Sequence, residues 1–148
     1  MIESERIEDS PFIGALISAI DCKFKCNNCF NQDLKNLNTI ENEPDQIIRE
    51  VNKNSFNKGI IFGGLEWTLQ KEELIELASK AKKNGLLTML YTGNSFEDIE
   101  TFVLNYGEYF DYIKCGKYKE DNKTINHLEY GVTLASGNQH IYKQGIDY

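Results

Sequence analysis

Three of the four cysteines, Cys22, Cys26 and Cys29, stand at C-x3-C-x2-C spacing, so one loop supplies three thiolates, while Cys115 lies far along the chain. A cubic iron–sulfur cluster has four irons, and three cysteine ligands leave one iron open to a ligand that is not protein. Structural zinc wants a closed shell of four ligands, and no fourth cysteine or histidine lies nearby in sequence; Cys115, His127 or His140 would have to complete such a site from a distance. Two disulfides are arithmetically possible. Three cysteines crowded into one loop nevertheless read as metal binding in a reducing compartment.

A glycine turn is the second chemical feature. In Gly63-Gly64-Leu65-Glu66 the paired glycines let backbone approach a ligand closely, and carbonyls there can accept hydrogen bonds from an ammonium group. The bland alternative is an ordinary strand-to-helix turn with a solvent-facing acid. Thr92-Gly93-Asn94 and Cys115-Gly116-Lys117 are two further small-residue turns.

These loops need elements to hold them. Apolar runs predict strands at 12–20, 58–64, 86–91 and 109–115, with a weaker fifth at 131–135. Helical spacing joins Ile47, Ile48 and Val51 behind Pro44, and Leu69, Leu74, Leu77, Ala78 and Ala81 up to a stop at Asn84-Gly85. Ser95 with Asp98 resembles a capping box for a third helix faced by Phe96, Ile99, Phe102, Val103 and Tyr106. The Asn/Lys-rich stretch 119–126 reads as a surface loop. Strands alternating with helices specify parallel βαβ units, hence an α/β fold. A complete eightfold barrel needs about 250 residues, so the expectation is a truncated, open (βα) partial barrel forming a single domain over 1–148. In open parallel sheets ligands bind beyond the carboxyl ends of the strands, which would gather the four loops on one face.

Composition narrows the class. With 41% hydrophobic and 26% charged residues the chain should fold as a globular protein. A net charge of −7 argues against nucleic acid as the main partner. The longest apolar stretch, 12–20, is too short to suggest a membrane span, and the acidic N-terminus lacks the basic segment of a secretory signal, so a cytoplasmic address is expected.

The cysteine loop after a first strand, followed by a Gly-Gly-x-Glu turn after the second, resembles the radical S-adenosylmethionine superfamily. The resemblance implies one [4Fe-4S] cluster on Cys22, Cys26 and Cys29. Its open iron would be chelated by the amine and carboxylate of S-adenosylmethionine, which is reductively cleaved to a 5′-deoxyadenosyl radical. Gly63 and Gly64 match the turn that holds the methionine amine; Leu65 separates them from Glu66, and Trp67 stands where a proline is common, so the glycines carry over more directly than the glutamate. Thr92 and Gly116 belong to the later loops of the same implied cofactor site. Such families usually place an aromatic residue just before the third cysteine, near the adenine. Here that residue is Asn28, and Phe30 or Phe24 would take over the contact.

Residues 110–118 and 134–141 resemble segments of the small activating enzymes of anaerobic ribonucleotide reductase. The implied partner is a glycyl radical enzyme, namely anaerobic (class III) ribonucleotide reductase, with an external electron donor such as flavodoxin. The rivals are a radical enzyme acting on another peptide or a small metabolite, and a non-catalytic zinc-bound interaction module. Cys115 reads as a small buried hydrophobe, and His127 and His140 as solvated. Trp67 has a positional reason to lie near the cofactor, and Asn138-Gln139 reads either as part of the resemblance or as a polar turn. Replacing Cys22, Cys26 or Cys29 by Ala should abolish the reconstituted cluster, whereas Cys115→Ala should retain it; iron and sulfide content with the visible spectrum checks this.

Overall fold

The computed structural model describes residues 1–36 and 41–148. Its main sheet has six strands in the order β1 (Ile2–Arg6), β2 (Gly14–Ser18), β3 (Gly59–Gly63), β4 (Leu87–Tyr91), β5 (Tyr112–Cys115) and β8 (His140–Lys143). Strands β2 to β5 run parallel, and the two edge strands pair antiparallel to their neighbours. A separate antiparallel hairpin joins β6 (Lys123–Glu129) to β7 (Val132–Ser136).

The parallel strands read as apolar runs because both faces of the sheet are covered. Every residue of β3 is buried. Successive strand residues point to opposite faces, and each face has its own core. Ile60, Phe62, Leu90 and Ile113 pack with α1 (Pro44–Asn52), α2 (Lys71–Lys83) and α3 (Glu100–Tyr106). On the other face Met89 and Ile141 pack with Val132 and Leu134 of the hairpin. Phe62 anchors the helical side, edge-on to Trp67 at 5.3 Å and to Phe110 at 6.1 Å between ring centroids.

The helices end as their residues dictate. α2 carries Glu72 and Glu73 in its first turn and Lys80, Lys82 and Lys83 in its last, which complements the helix dipole, and Gly85 follows at φ +75°. Ser95 and Asp98 form a reciprocal capping box, with N–H to side-chain distances of 3.1 and 3.2 Å. No helix among the described residues is long and apolar enough to cross a membrane.

Three segments differ from expectation. The fifth strand exists, but as β7 of the hairpin rather than as a member of the main sheet. The loop expected over 119–126 gives way to β6 from Lys123 onward, a strand whose polar composition conceals it because most of its side chains face water. β1 and β8 went undetected. β1 is an edge strand of sequence Ile-Glu-Ser-Glu-Arg, whose charges suit an edge and mask the apolar signal. Part of the Asn-rich stretch after the cysteine loop lies outside the described residues.

Candidate functional site

The carboxyl ends of β2, β3, β4 and β5 open onto a cavity of about 550 Å³ whose lining includes Cys22, Cys26, Cys29, Gly64, Thr92 and Gly116. Its side wall is the sheet face occupied by Leu16 and Tyr91, and the hairpin closes it with Thr133, Leu134 and Ala135. The volume falls within the range typical of sites for small molecules and cofactors.

The cysteine loop is held by its backbone. All three thiols are half-buried and free. The N–H of Asn31 donates to Cys29 Sγ at 3.4 Å, a contact of the kind that stabilises charge on a cluster-bound sulfur. Lys35 Nζ donates to the carbonyl of Phe24 at 3.3 Å, tying the following 3-10 turn, Gln32–Asn36, back onto the loop. Burial pushes the Cys22 thiol above its ordinary value, and the neighbouring Glu66 and Cys29 add to that while a backbone contact at Phe24 and Lys35 oppose it. A metal ion bound by these thiols would reverse that balance, since metal binding draws off thiol protons.

Asn28 adopts φ +54°, a left-handed conformation that Asn tolerates well. It is exposed and does not line the cavity, whereas Phe24 and Phe30 do. Phe24 lies on Gly93, where a Cβ would come within 2.5 Å of its ring. Phe30, at the rim, meets Tyr118 at 5.4 Å between centroids.

The glycine turn has its own division of labour. The Gly63 carbonyl accepts from the N–H groups of Ala19 at 3.2 Å and Leu65 at 3.0 Å, and so is spent on the fold. Gly64 lines the cavity at φ +78°, and among the described residues no donor pairs with its carbonyl. A Cβ on Gly64 would sit 2.5 Å from Ser18 Oγ, so both conformation and space select glycine.

Glu66 is not a solvent-facing acid: it is 2% exposed. Its Oε1 accepts from Thr68 Oγ1 at 2.6 Å, Thr68 N at 3.2 Å and Thr92 Oγ1 at 3.0 Å, and its Oε2 accepts from Gly93 N at 2.8 Å. Thr92, buried in turn, accepts from Asn94 N and Nδ2. Gly116 stands at φ +103°, and its carbonyl accepts from Gln139 Nε2 at 3.1 Å. Gln139 Oε1 accepts from the N–H groups of Ala135 and Ser136, clamping the hairpin to the Gly116 turn.

Lys114 is a buried cavity residue that sequence reasoning missed. It lines the cavity while almost wholly buried, with Nζ 3.3 Å from the Gly116 carbonyl and 5.1 Å from the centroid of the Tyr91 ring. Burial pulls its pKa down to about 8, against the upward pull of Cys115, Cys26 and Glu66. A lysine between Ile113 and Cys115 in a buried strand was the available signal.

Other expectations resolve as follows. Trp67 is a core residue whose Nε1 donates to the Ile17 carbonyl at 2.9 Å, and it does not line the cavity. Cys115 is buried, as expected, and burial pushes its thiol up to about 12 despite Lys114. His127 and His140 are not simply solvated, because both face Glu129. None of Cys115, His127 and His140 lines the cavity that the three cysteines share, so none of these distant residues completes a zinc site there.

Comparison with known proteins identifies the family. The sequence profile of the 4Fe-4S single cluster domain matches residues 14–142. The chain belongs to that family. It is also 34% identical over 117 residues to a candidate glycyl-radical enzyme activating enzyme of Methanocaldococcus jannaschii. That stretch is 72% of the chain and 46% of the relative, so the chain spans about half the length of that protein. The resemblance to radical S-adenosylmethionine activating enzymes, read from the cysteine loop and glycine turn together with residues 110–118 and 134–141, is borne out by both.

Lys114 yields a pH test on the 4Fe-4S domain without its cluster. Its folded pKa lies below the ordinary 10.5, so the cost of burying the ammonium is full below pH 8 and fades as pH rises toward 10.5. Lys114→Met should raise Tm at pH 7 by several degrees, and calorimetry should show the gain shrinking by pH 10.

Proposed function

We propose that the chain is a glycyl-radical-enzyme activase. It holds a [4Fe-4S] cluster on Cys22, Cys26 and Cys29, binds S-adenosylmethionine beside it, and acts on a backbone glycine of a partner protein. The observation that carries this reading is the single cavity lined at once by the three cysteines, Gly64 and Lys114. When bound and reduced by an external donor such as flavodoxin, the cluster and S-adenosylmethionine supply a 5′-deoxyadenosyl radical able to remove a hydrogen atom from that glycine.

The chain's own residues bind, orient and exclude water. Cys22, Cys26 and Cys29 would hold the cluster through three thiolates, which would leave one iron without a protein ligand. The methionine end of S-adenosylmethionine carries an ammonium and a carboxylate, which call for an acceptor and a cation. The unpaired Gly64 carbonyl suits the first and the buried Lys114 ammonium the second. Phe24 and Phe30 offer aromatic faces for the adenine, and Leu16 and Leu134 keep the wall apolar. Four parallel strands with their loops at one end support the accompanying reading of a truncated, open (βα) barrel.

The name of the archaeal relative and the resemblance of residues 110–118 and 134–141 favour a glycyl radical enzyme as substrate, with anaerobic ribonucleotide reductase first among them. Mixed anaerobically with its cognate reductase, S-adenosylmethionine and a reductant, the loaded protein should form 5′-deoxyadenosine and a glycyl doublet in the electron paramagnetic resonance spectrum of the partner. A partner whose candidate glycine is changed to Ala should give none. Deoxyadenosine without a doublet would move the assignment to a radical enzyme acting on another peptide or a small metabolite.

A further inference from the structure

Away from the cysteine cavity, the chain's two histidines converge on one carboxylate. Glu129 Oε1 lies 3.2 Å from His127 Nε2 and 2.8 Å from His140 Nδ1, and the ligand atoms of the three residues all fall within 4.8 Å of one another. His127 and Glu129 sit two apart on β6 and so share a face of that strand, whereas His140 opens β8 of the main sheet.

Hydrogen bonding fixes what these atoms present. His127 Nδ1 is 3.3 Å from the Ser136 carbonyl, which can only accept, so in the neutral ring Nδ1 carries the proton. Nε2 then turns its lone pair toward Glu129. The other carboxylate oxygen, Oε2, accepts from Ile141 N at 2.6 Å, which holds the carboxyl in place and leaves Oε1 for the histidines. A lone pair and an anionic oxygen at this separation repel unless a proton or a metal ion lies between them, and a metal ion can take the place of that proton. Backbone support behind both His127 and Glu129 is the outer shell that a metal centre requires.

We propose that His127 Nε2, Glu129 Oε1 and His140 Nδ1 bind one divalent transition-metal ion, for which zinc is the probe. Two imidazoles and a carboxylate suit zinc or another first-row ion rather than magnesium or calcium. Ligands about 2.0–2.1 Å from a tetrahedral ion stand about 3.3 Å from one another, a spacing that His127 Nε2 and Glu129 Oε1 already meet at 3.2 Å, and the ion would draw the two imidazole nitrogens, which lie within 4.8 Å, to the same spacing. His140 is half exposed, and its side leaves the fourth position to water or an exogenous ligand. The ion would staple the β6–β7 hairpin to β8. Because Thr133, Leu134 and Ala135 of that hairpin line the cysteine cavity, the staple would hold one wall of the main site.

The test uses the untagged full chain with Cys22, Cys26 and Cys29 changed to Ser, which removes the competing thiolates, and long-range proton–nitrogen NMR of the two imidazole rings. Zinc should shift His127 Nε2 and His140 Nδ1 together, saturating at one equivalent, and Glu129→Gln should weaken binding at least tenfold. In parallel, equilibrium dialysis of the cluster-loaded parent should find one zinc per chain beyond the iron, lost in both His127→Ala and His140→Ala. Rings that do not respond, a response from one ring alone, or zinc retained in both histidine variants would overturn the proposal. The first arm needs no cluster, so it stands or falls independently of the radical-enzyme reading.

Discussion

A carboxylate taken out of water must recover its lost hydration from protein donors, or its burial costs several kcal/mol. Glu66 recovers it from Thr68, Thr92 and Gly93, and its own N–H donates to the Asp21 carbonyl at 2.8 Å, next to Cys22. One residue therefore joins the loop after β2, the turn after β3 and the turn after β4. Gly93, held by the carboxylate, is also the seat of Phe24 from the middle of the cysteine loop. Hydrogen bonds to charged groups are worth about 1.5–3 kcal/mol each, so these loops are braced against one another rather than against solvent. The consequence is a cavity in which the cysteine loop, the glycine turn and the Thr92-Gly93 turn are tied to one buried carboxylate.

Around this brace the cavity holds groups in states that burial disfavours. Lys114 is a cation pulled toward neutrality, and Cys22 is a thiol held from ionising. Each state is relieved by what the site is suited to bind: iron for the thiols and an anion for the lysine. Clusters of such shifted groups in a cavity are the physical mark of a functional site. They also explain why a chain of net charge −7 keeps a lysine inside. Its anionic exterior is a separate matter from the chemistry at the strand ends.

Much of this was legible in the residues. The cysteine spacing, the apolar runs of β2 to β5 and the helical faces all carry local signals, and the parallel order follows from their alternation. The hidden parts carry little apolar signal of their own. β1 and β6 are polar strands paired to neighbours close in sequence, β2 and β7, and their half-buried and exposed side chains leave no apolar alternation to mark them. The role of Glu66 was hidden likewise, since an acid after two glycines reads the same whether it faces water or Gly93. Asn28 looked like a missing aromatic; its left-handed backbone shows instead a turn position filled by a residue that tolerates it. The histidine pair escaped notice because strands β6 and β8, which bring its members together, were themselves undetected.

The central claim is that three cysteines leave one iron of a cluster open to S-adenosylmethionine in this cavity. Electron paramagnetic resonance of the anaerobically reduced, cluster-loaded protein tests it directly, using S-adenosylmethionine labelled with oxygen-17 in the methionine carboxylate. The account predicts a change in the cluster signal on adding the cofactor, and hyperfine coupling to the labelled oxygen. A cluster spectrum indifferent to S-adenosylmethionine, with no coupling to the label, would contradict it.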